Sequence, residues 1–259
     1  MSGAMMLGDA AKCESGLAGL QELFRFYRND GFPDGPSDNG SNPRFLLARL
    51  ETITFFLLEL CRSYHISTVV PEARRYSGAL REFVQIMRPD MQQVAQNLDA
   101  LIVSNIKAAN RVSIVSEVAV FASTIYQEPV DVSTYATAAC SLLTNQGWFL
   151  ENGGYDFSYE CANLLGLALI SFVTRIAVVE RTVRKGTNWT VSRVSASGQV
   201  DMGASTRTLG QDVKADGSPK GPNWNDISGC LLACGAVLND SAVTSKGRAV
   251  WATHVHLHA

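Results

Sequence analysis

Apolar residues recur at three- and four-residue steps along most of the first 185 positions, the spacing of helix faces. Between Glu14 and Arg28 the face is Leu17, Leu20, Phe24 and Tyr27, a short helix. Asn29 to Pro43 is rich in Pro, Gly, Asp, Asn and Ser, the composition of a loop, so residues 1–43 read as an N-terminal helix with its linker, and the domain boundary falls there. From Phe45 to Tyr64 the stripe Leu46, Leu50, Ile53, Leu57, Leu60 is widened by Phe56 and Leu58, which makes this helix apolar round most of its circumference and places it inside a bundle. His65 closes it beside the negative end of the helix dipole.

Glu72 to Arg88 predicts the next helix, with Leu80, Val84 and Met87 on the face that Met91 and Val94 continue. Pro89 suits a first helical turn and breaks an interior one, so the helix stops at Arg88 and a new one runs from Met91 to Ala109. Asn110 to Tyr126 carries Ile114, Val118, Phe121 and Ile125 along one side, with Val115, Ala119 and Ala122 beside them; a helix is expected and a buried strand is the alternative. Val132 to Thr144 adds another helix through Tyr135, Ala138, Ala139 and Leu142.

The chain is organised around the corner that follows. Trp148, Asn152, Gly153, Gly154, Tyr155 and Asp156 place an Asn-Gly-Gly break between two aromatic rings, so a helix ending near Leu150 turns sharply and Asp156 starts the next. Phe157 to Arg184 is then nearly unbroken and apolar. Cys161 to Val179 approaches the roughly 20 residues of a membrane span, but Arg175 sits inside it, so a bundle helix is expected ahead of an anchor. Residues 44–185 therefore read as an all-α bundle domain. From Gly186 as far as Asp226 Gly, Ser, Thr, Asp and Asn dominate without sustained periodicity, which predicts that 186–259 is a mostly disordered C-terminal tail. Within it Ile227 to Leu238 is apolar but too short to span a membrane, and His254, His256 and His258 belong to a solvated, frayed end.

Charge is nearly balanced, with 22 Lys and Arg against 24 Asp and Glu, which gives no field for nucleic acid. Six cysteines without paired spacing favour a reducing compartment over a disulfide framework or zinc site. The N-terminus lacks the basic stretch and long apolar run of a secretory signal. Phosphate loop, His-Glu-x-x-His and serine elbow are all missing, and the Asp34 to Gly40 stretch lacks the closing Glu of a calcium loop, so neither an enzyme nor a cofactor or metal protein is expected.

The block Trp148-x-x-Glu151-Asn152-Gly153-Gly154-Tyr155-Asp156 resembles the second homology region of the B-cell lymphoma 2 family of apoptosis regulators. Ala79-Leu80-Arg81-Glu82 is similar to the opening of its third region, with Val84-Gln85 where the family has Gly-Asp. Asn110 to Val115 is similar to its first: Asn110 and Ile114-Val115 match, while Arg111, Val112 and Ser113 replace Trp, Gly and Arg. In the family the arginine at the position of Ser113 pairs with an aspartate of the bound helix; Arg111, two residues earlier, is turned by about 200°.

The resemblance covers Asn42 to Arg184 and implies a helical bundle around a central hydrophobic hairpin, with a surface groove that takes the amphipathic death-motif helix of a pro-apoptotic partner. By position, the groove would draw on Phe83, Met87, Met91, Asn110, Arg111, Val112 and Val115. The implied function is inhibition of cell death inside the cell, in the cytoplasm or at the mitochondrial outer membrane, as in a diverged viral survival homologue, with membrane association through 157–185 and homodimerisation as further expectations. Two alternatives stand beside it: a pore-forming member of the same fold that inserts the Asn110 to Leu143 hairpin, and a self-assembling structural helical protein.

Overall fold

A computed structural model of the chain describes residues 4–5, 8–30, 43–151, 153–211, 213–214, 216–218 and 220–255, with the side chains of 26–30 and 43–45 left aside. The architecture is all-α, as expected: eleven helices among the described residues, no strand, and only isolated β-bridges. They are α1 (Ala10–Asp30), α2 (Pro43–Val69), α3 (Ser77–Ile86), α4 (Arg88–Gln96), α5 (Leu98–Asn105), α6 (Ala109–Thr124), α7 (Val132–Cys140), α8 (Phe157–Thr174), α9 (Ala177–Val191), α10 (Trp224–Leu238) and α11 (Ser241–Val250).

The helices fall into two compact units, Met1–Ser104 with Val118–Val130, and Asn105–Glu117 with Asp131–Ala259. The division therefore does not follow the expected boundaries at 43 and 185. Composition marks flexible connections, whereas the units reflect which apolar faces bury one another, and α1 belongs with α2 to α5. The 31–42 part of the expected linker lies outside the described residues.

In the first unit α2 is the central element: Leu50, Ile53, Leu57 and Leu60 have no exposed surface. The helix predicted from Glu72 begins as a 3-10 turn, Pro71–Tyr76, which α2 contacts along with α3 and α4. Met87 (φ −81°, ψ 4°) breaks the path between α3 and α4, and Pro89 occupies the first turn of α4, one residue from the expected stop. A second break at Asn97 (φ −118°) separates α4 from α5 where one continuous helix was expected. Residues 118–124 of α6 complete this unit, with Tyr126 buried under Arg88, whose Nη1 donates to the Tyr126 carbonyl at 3.0 Å.

α6 is a helix and not the alternative strand. Val112, Val115, Val118, Ala119, Val120, Phe121 and Ala122 are all buried, so burial on every side outweighs the weak helix propensity of its β-branched residues.

The second unit repeats one device. α8 ends at Arg175, which adopts a left-handed conformation (φ 56°) and reverses the chain into α9; α10 ends at Asn239 (φ 54°) and reverses into α11. Each helix that precedes such a hairpin closes with the same turn. After α7, Leu143 bridges Phe149, Thr144 N–H donates to the Trp148 carbonyl and Gly147 to that of Thr144; after α9, Val194 bridges Val200, Ser195 donates to Gln199 and Gly198 to Ser195. The run expected to be unbroken from Phe157 to Arg184 is thus two helices. α8 has the length and composition to cross a membrane, and 72% of it is buried.

The expected disordered tail is corrected by the structure: 186–255 holds the end of α9, then α10 and α11. Its small residues serve close packing rather than solvation. Gly198 (φ 83°) lies so near α11 that a Cβ there would meet the Ala249 carbonyl at 2.5 Å, and Asn223 and Asp240 cap their helices by accepting from backbone N–H groups. His254 is not frayed; it stacks on Trp224 at 3.7 Å between ring centroids. His256 and His258 lie outside the described residues.

Candidate functional site

The Trp148–Asp156 segment is a corner, built differently from the expectation. The preceding helix ends at Cys140, not near Leu150, because the 143–149 turn intervenes. The reversal itself is a tight turn in which Glu151 N–H donates to the Gly154 carbonyl at 2.8 Å and Gly154 N–H to that of Glu151 at 3.1 Å, with Gly153 at φ 86°. Asn152 lies outside the described residues. Asp156 starts α8 as expected: its Oδ1 accepts from Ser158 N–H at 2.9 Å and Tyr159 N–H at 3.0 Å.

Residues 201–223 strap this corner. Arg207 Nε donates to Asp156 Oδ2 at 2.9 Å, its Nη1 donates to the Gly221 carbonyl at 2.9 Å, and its guanidinium lies over Tyr159. Thr206 N–H donates to the Tyr155 carbonyl and Asn223 N–H to Ser158 Oγ. The carboxylate that caps the helix is therefore also one half of a buried ion pair.

Beside the strap lies a group of rings. Tyr155 meets Trp148 at 5.9 Å and 56° and Trp189 at 5.0 Å and 77°, while Phe157 lies 6.0 Å from Trp189. The guanidinium of Arg193 sits 3.8 Å from the centre of the Trp189 ring and 5.6 Å from that of Tyr155. Below, buried Glu160 accepts from Phe149 N–H through Oε2 at 2.7 Å, and its Oε1 has no hydrogen-bond partner. Burial pushes the Glu160 carboxyl up to about 8, against the lowering pull of the Phe149 N–H and of Arg193. Cys161, Cys230 and Cys234 are close by and fully buried; Cys230 and Cys234 sulfurs are 4.0 Å apart, and all three thiols are raised. Among the described residues no group of three His, Cys, Asp or Glu side chains could hold a metal ion.

The nominated groove residues fall in two places. Phe83, Met87 and Met91 stand on α3 and α4 and the joint between them in the first unit; Asn110, Arg111, Val112 and Val115 stand on the first two turns of α6 in the second. Met87, Met91 and Val112 have no exposed surface and Val115 has 3%, so these are core side chains of their own units rather than an open wall. The reason is that a groove wall and a core face share one periodicity. Arg111 is exposed and donates to Asn105 Oδ1 at 3.3 Å, while Ser113, two residues on, is buried, as the 200° turn requires. Asn110 N–H reaches Glu151 Oε2 at 3.5 Å, and its own Oδ1 is buried without a partner.

Phe83 is the exception with a visible occupant. Its ring is stacked on Phe24 of α1, 4.1 Å between centroids and 7° between planes, and Phe24 also meets Phe56 of α2 at 5.3 Å. Leu20 and Cys13 of α1 are buried with Phe24, and Tyr76 Oη donates to Glu14 at its edge. The amphipathic α1 thus seats Phe24 against Phe56 of α2 and Phe83 of α3, while Glu14 meets the Pro71–Tyr76 turn.

Phe24 and Phe56 are read from the sequence only as members of helix faces, and Trp189, Arg193, Glu160 and Arg207 are given no site role by it. Two signals could have found some of them: Trp189 and Arg193 are four residues apart, one helical turn, and Glu160 is a single acid opening an apolar run. Compared with protein-family models, with curated proteins and with solved structures, the chain matches none.

Proposed function

We propose that the protein regulates apoptosis by binding the amphipathic death-motif helix of a pro-apoptotic partner, inhibiting cell death by sequestering it, and that the partner docks on the face of α2 and α3 that α1 covers. The observation that supports this reading is the stack of Phe24 on Phe83, because one amphipathic helix, α1, already seats an aromatic anchor on this face. The three sequence blocks that resemble the family's homology regions support the same class of partner.

Physically, the partner replaces α1. A Leu or Phe anchor gains about 1.5–3 kcal/mol on burial, and displacing a helix of the same chain subtracts what α1 gains by docking, so affinity reflects the difference between the two helices.

The test is titration of the whole chain with a panel of death-motif peptides. Saturable binding at micromolar or better affinity, weakened by Phe83→Ala in a folded protein, is the expected result. A folded protein that binds no member of the panel overturns the reading, and dye release from mitochondrial-lipid vesicles would redirect it to the pore-forming alternative.

A further inference from the structure

Three half-buried aromatic side chains of the second unit, Trp148, Tyr155 and Trp189, meet at steep angles, 56° between the first two and 77° between the last two. The edge-to-face contact of Tyr155 with Trp189 leaves both rings within reach of one weakly hydrated organic cation, the kind of group that aromatic faces attract. A cation is already there: the Arg193 guanidinium lies 3.8 Å from the centre of Trp189 and 5.6 Å from that of Tyr155.

Two further observations separate this group from ordinary packing. Arg193 also lines an open surface depression of about 430 Å³ formed by the 192–201 turn, so its head group has room to leave the rings. Its anchoring is slight. Nη1 reaches the Trp189 carbonyl at 3.4 Å and Ser192 Oγ at 3.3 Å, both long for a charged donor, and no carboxylate forms an ion pair with it among the described residues.

We propose that Tyr155 and Trp189, with Trp148 packed against Tyr155, form a cation-binding cage for the guanidinium of an arginine side chain presented by another chain, and that Arg193 occupies it as a displaceable internal substitute. Guanidinium fits better than ammonium because it is planar, sheds water more readily and stacks on aromatic faces. The internal arginine lowers apparent affinity by the fraction of time that it fills the cage. This inference stands apart from the helix-docking face, which belongs to the first unit.

The experiment titrates a short arginine-containing peptide, and its lysine counterpart, into the whole chain and into Arg193→Ala, with calorimetry and the NMR signals of the Trp148 and Trp189 indole N–H groups as readouts. Arg193→Ala should bind the arginine peptide about tenfold more tightly than the parent chain, as release of an occupancy of about nine-tenths requires. The lysine peptide should bind more weakly, and the two indole signals should move on binding. In the Arg193→Ala background, Trp189→Leu keeps apolar bulk without the ring and should abolish binding, and Tyr155→Leu should weaken it. Equal affinity of the parent and Arg193→Ala, no saturable binding to a folded Arg193→Ala chain, or unchanged affinity in the folded leucine variants would each overturn the proposal.

Discussion

Asp156 and Arg207 lie 51 residues apart in sequence and form a buried ion pair, Nε to Oδ2 at 2.9 Å, with side-chain exposures of 0% and 8%. The pairing joins two functions, since Asp156 caps α8 while Arg207 anchors the 201–223 strap through the Gly221 carbonyl. Removing one partner of a buried pair strands the other charge, which costs about 3–5 kcal/mol. Arg207→Met should therefore destabilise the second unit by that amount in chemical denaturation. Asp156→Asn keeps a capping oxygen and should be milder on α8, yet it loses the charge that Arg207 meets. The double variant should recover part of the sum of the single losses, and strict additivity would show the pair to be uncoupled.

Glu160 gives the second unit a pH dependence of definite sign. Its folded carboxyl is held near 8 by burial, above its usual 4.5, so the folded state keeps a proton that the unfolded chain has released. Stability should be greatest below the unfolded value, fall as pH rises from about 4.5 to about 8, and level off above. Glu160→Gln retains an acceptor for Phe149 N–H and cannot ionise, so denaturation midpoints measured from pH 5 to 9 should lose this decline relative to the parent chain. Identical profiles for the two proteins would remove the assignment.

For the helix-docking face, Phe24→Ala removes the resident ring without touching α2 or α3. It should tighten binding of a death-motif peptide, because the competing helix loses its main anchor, whereas Phe83→Ala should weaken the peptide and loosen α1 together. Both are read in one calorimetric series. If Phe24→Ala weakens the peptide as much as Phe83→Ala does, α1 supports the site and does not compete for it.

The helices were legible wherever apolar residues recur at helical spacing, as along Leu50, Ile53, Leu57 and Leu60, and Asp156 could be recognised as a cap from its place after the Gly pair. Breaks were legible at Pro89 and invisible at Asn97 and Arg175, since neither residue type forbids a helix and only tertiary packing selects the turn. The region after Gly186 misled because close helix contact selects Gly, Ser and Thr, the same composition that marks disorder. The cation and ring cluster at Trp189 could not be assembled from sequence because Tyr155 and Trp189 meet only through the fold.

That last region supplies a prediction with an internal control. Gly198 and Gly210 both hold positive φ, 83° and 72°, so an alanine at either incurs left-handed strain of about 1 kcal/mol. They differ in surroundings. A Cβ at Gly198 would meet the Ala249 carbonyl carbon and oxygen at 2.5 Å, backbone that cannot rotate away, whereas a Cβ at Gly210 has nothing within 4 Å. Gly198→Ala should therefore lower the denaturation midpoint well beyond Gly210→Ala and open α11 to proteolysis, because the turn after α9 and the end of α11 can no longer approach. Were 186–255 disordered, the two variants would behave alike and a protease would trim the parent chain back to α9 at once; the folded arrangement requires instead that cleavage of α11 wait on the Gly198 substitution.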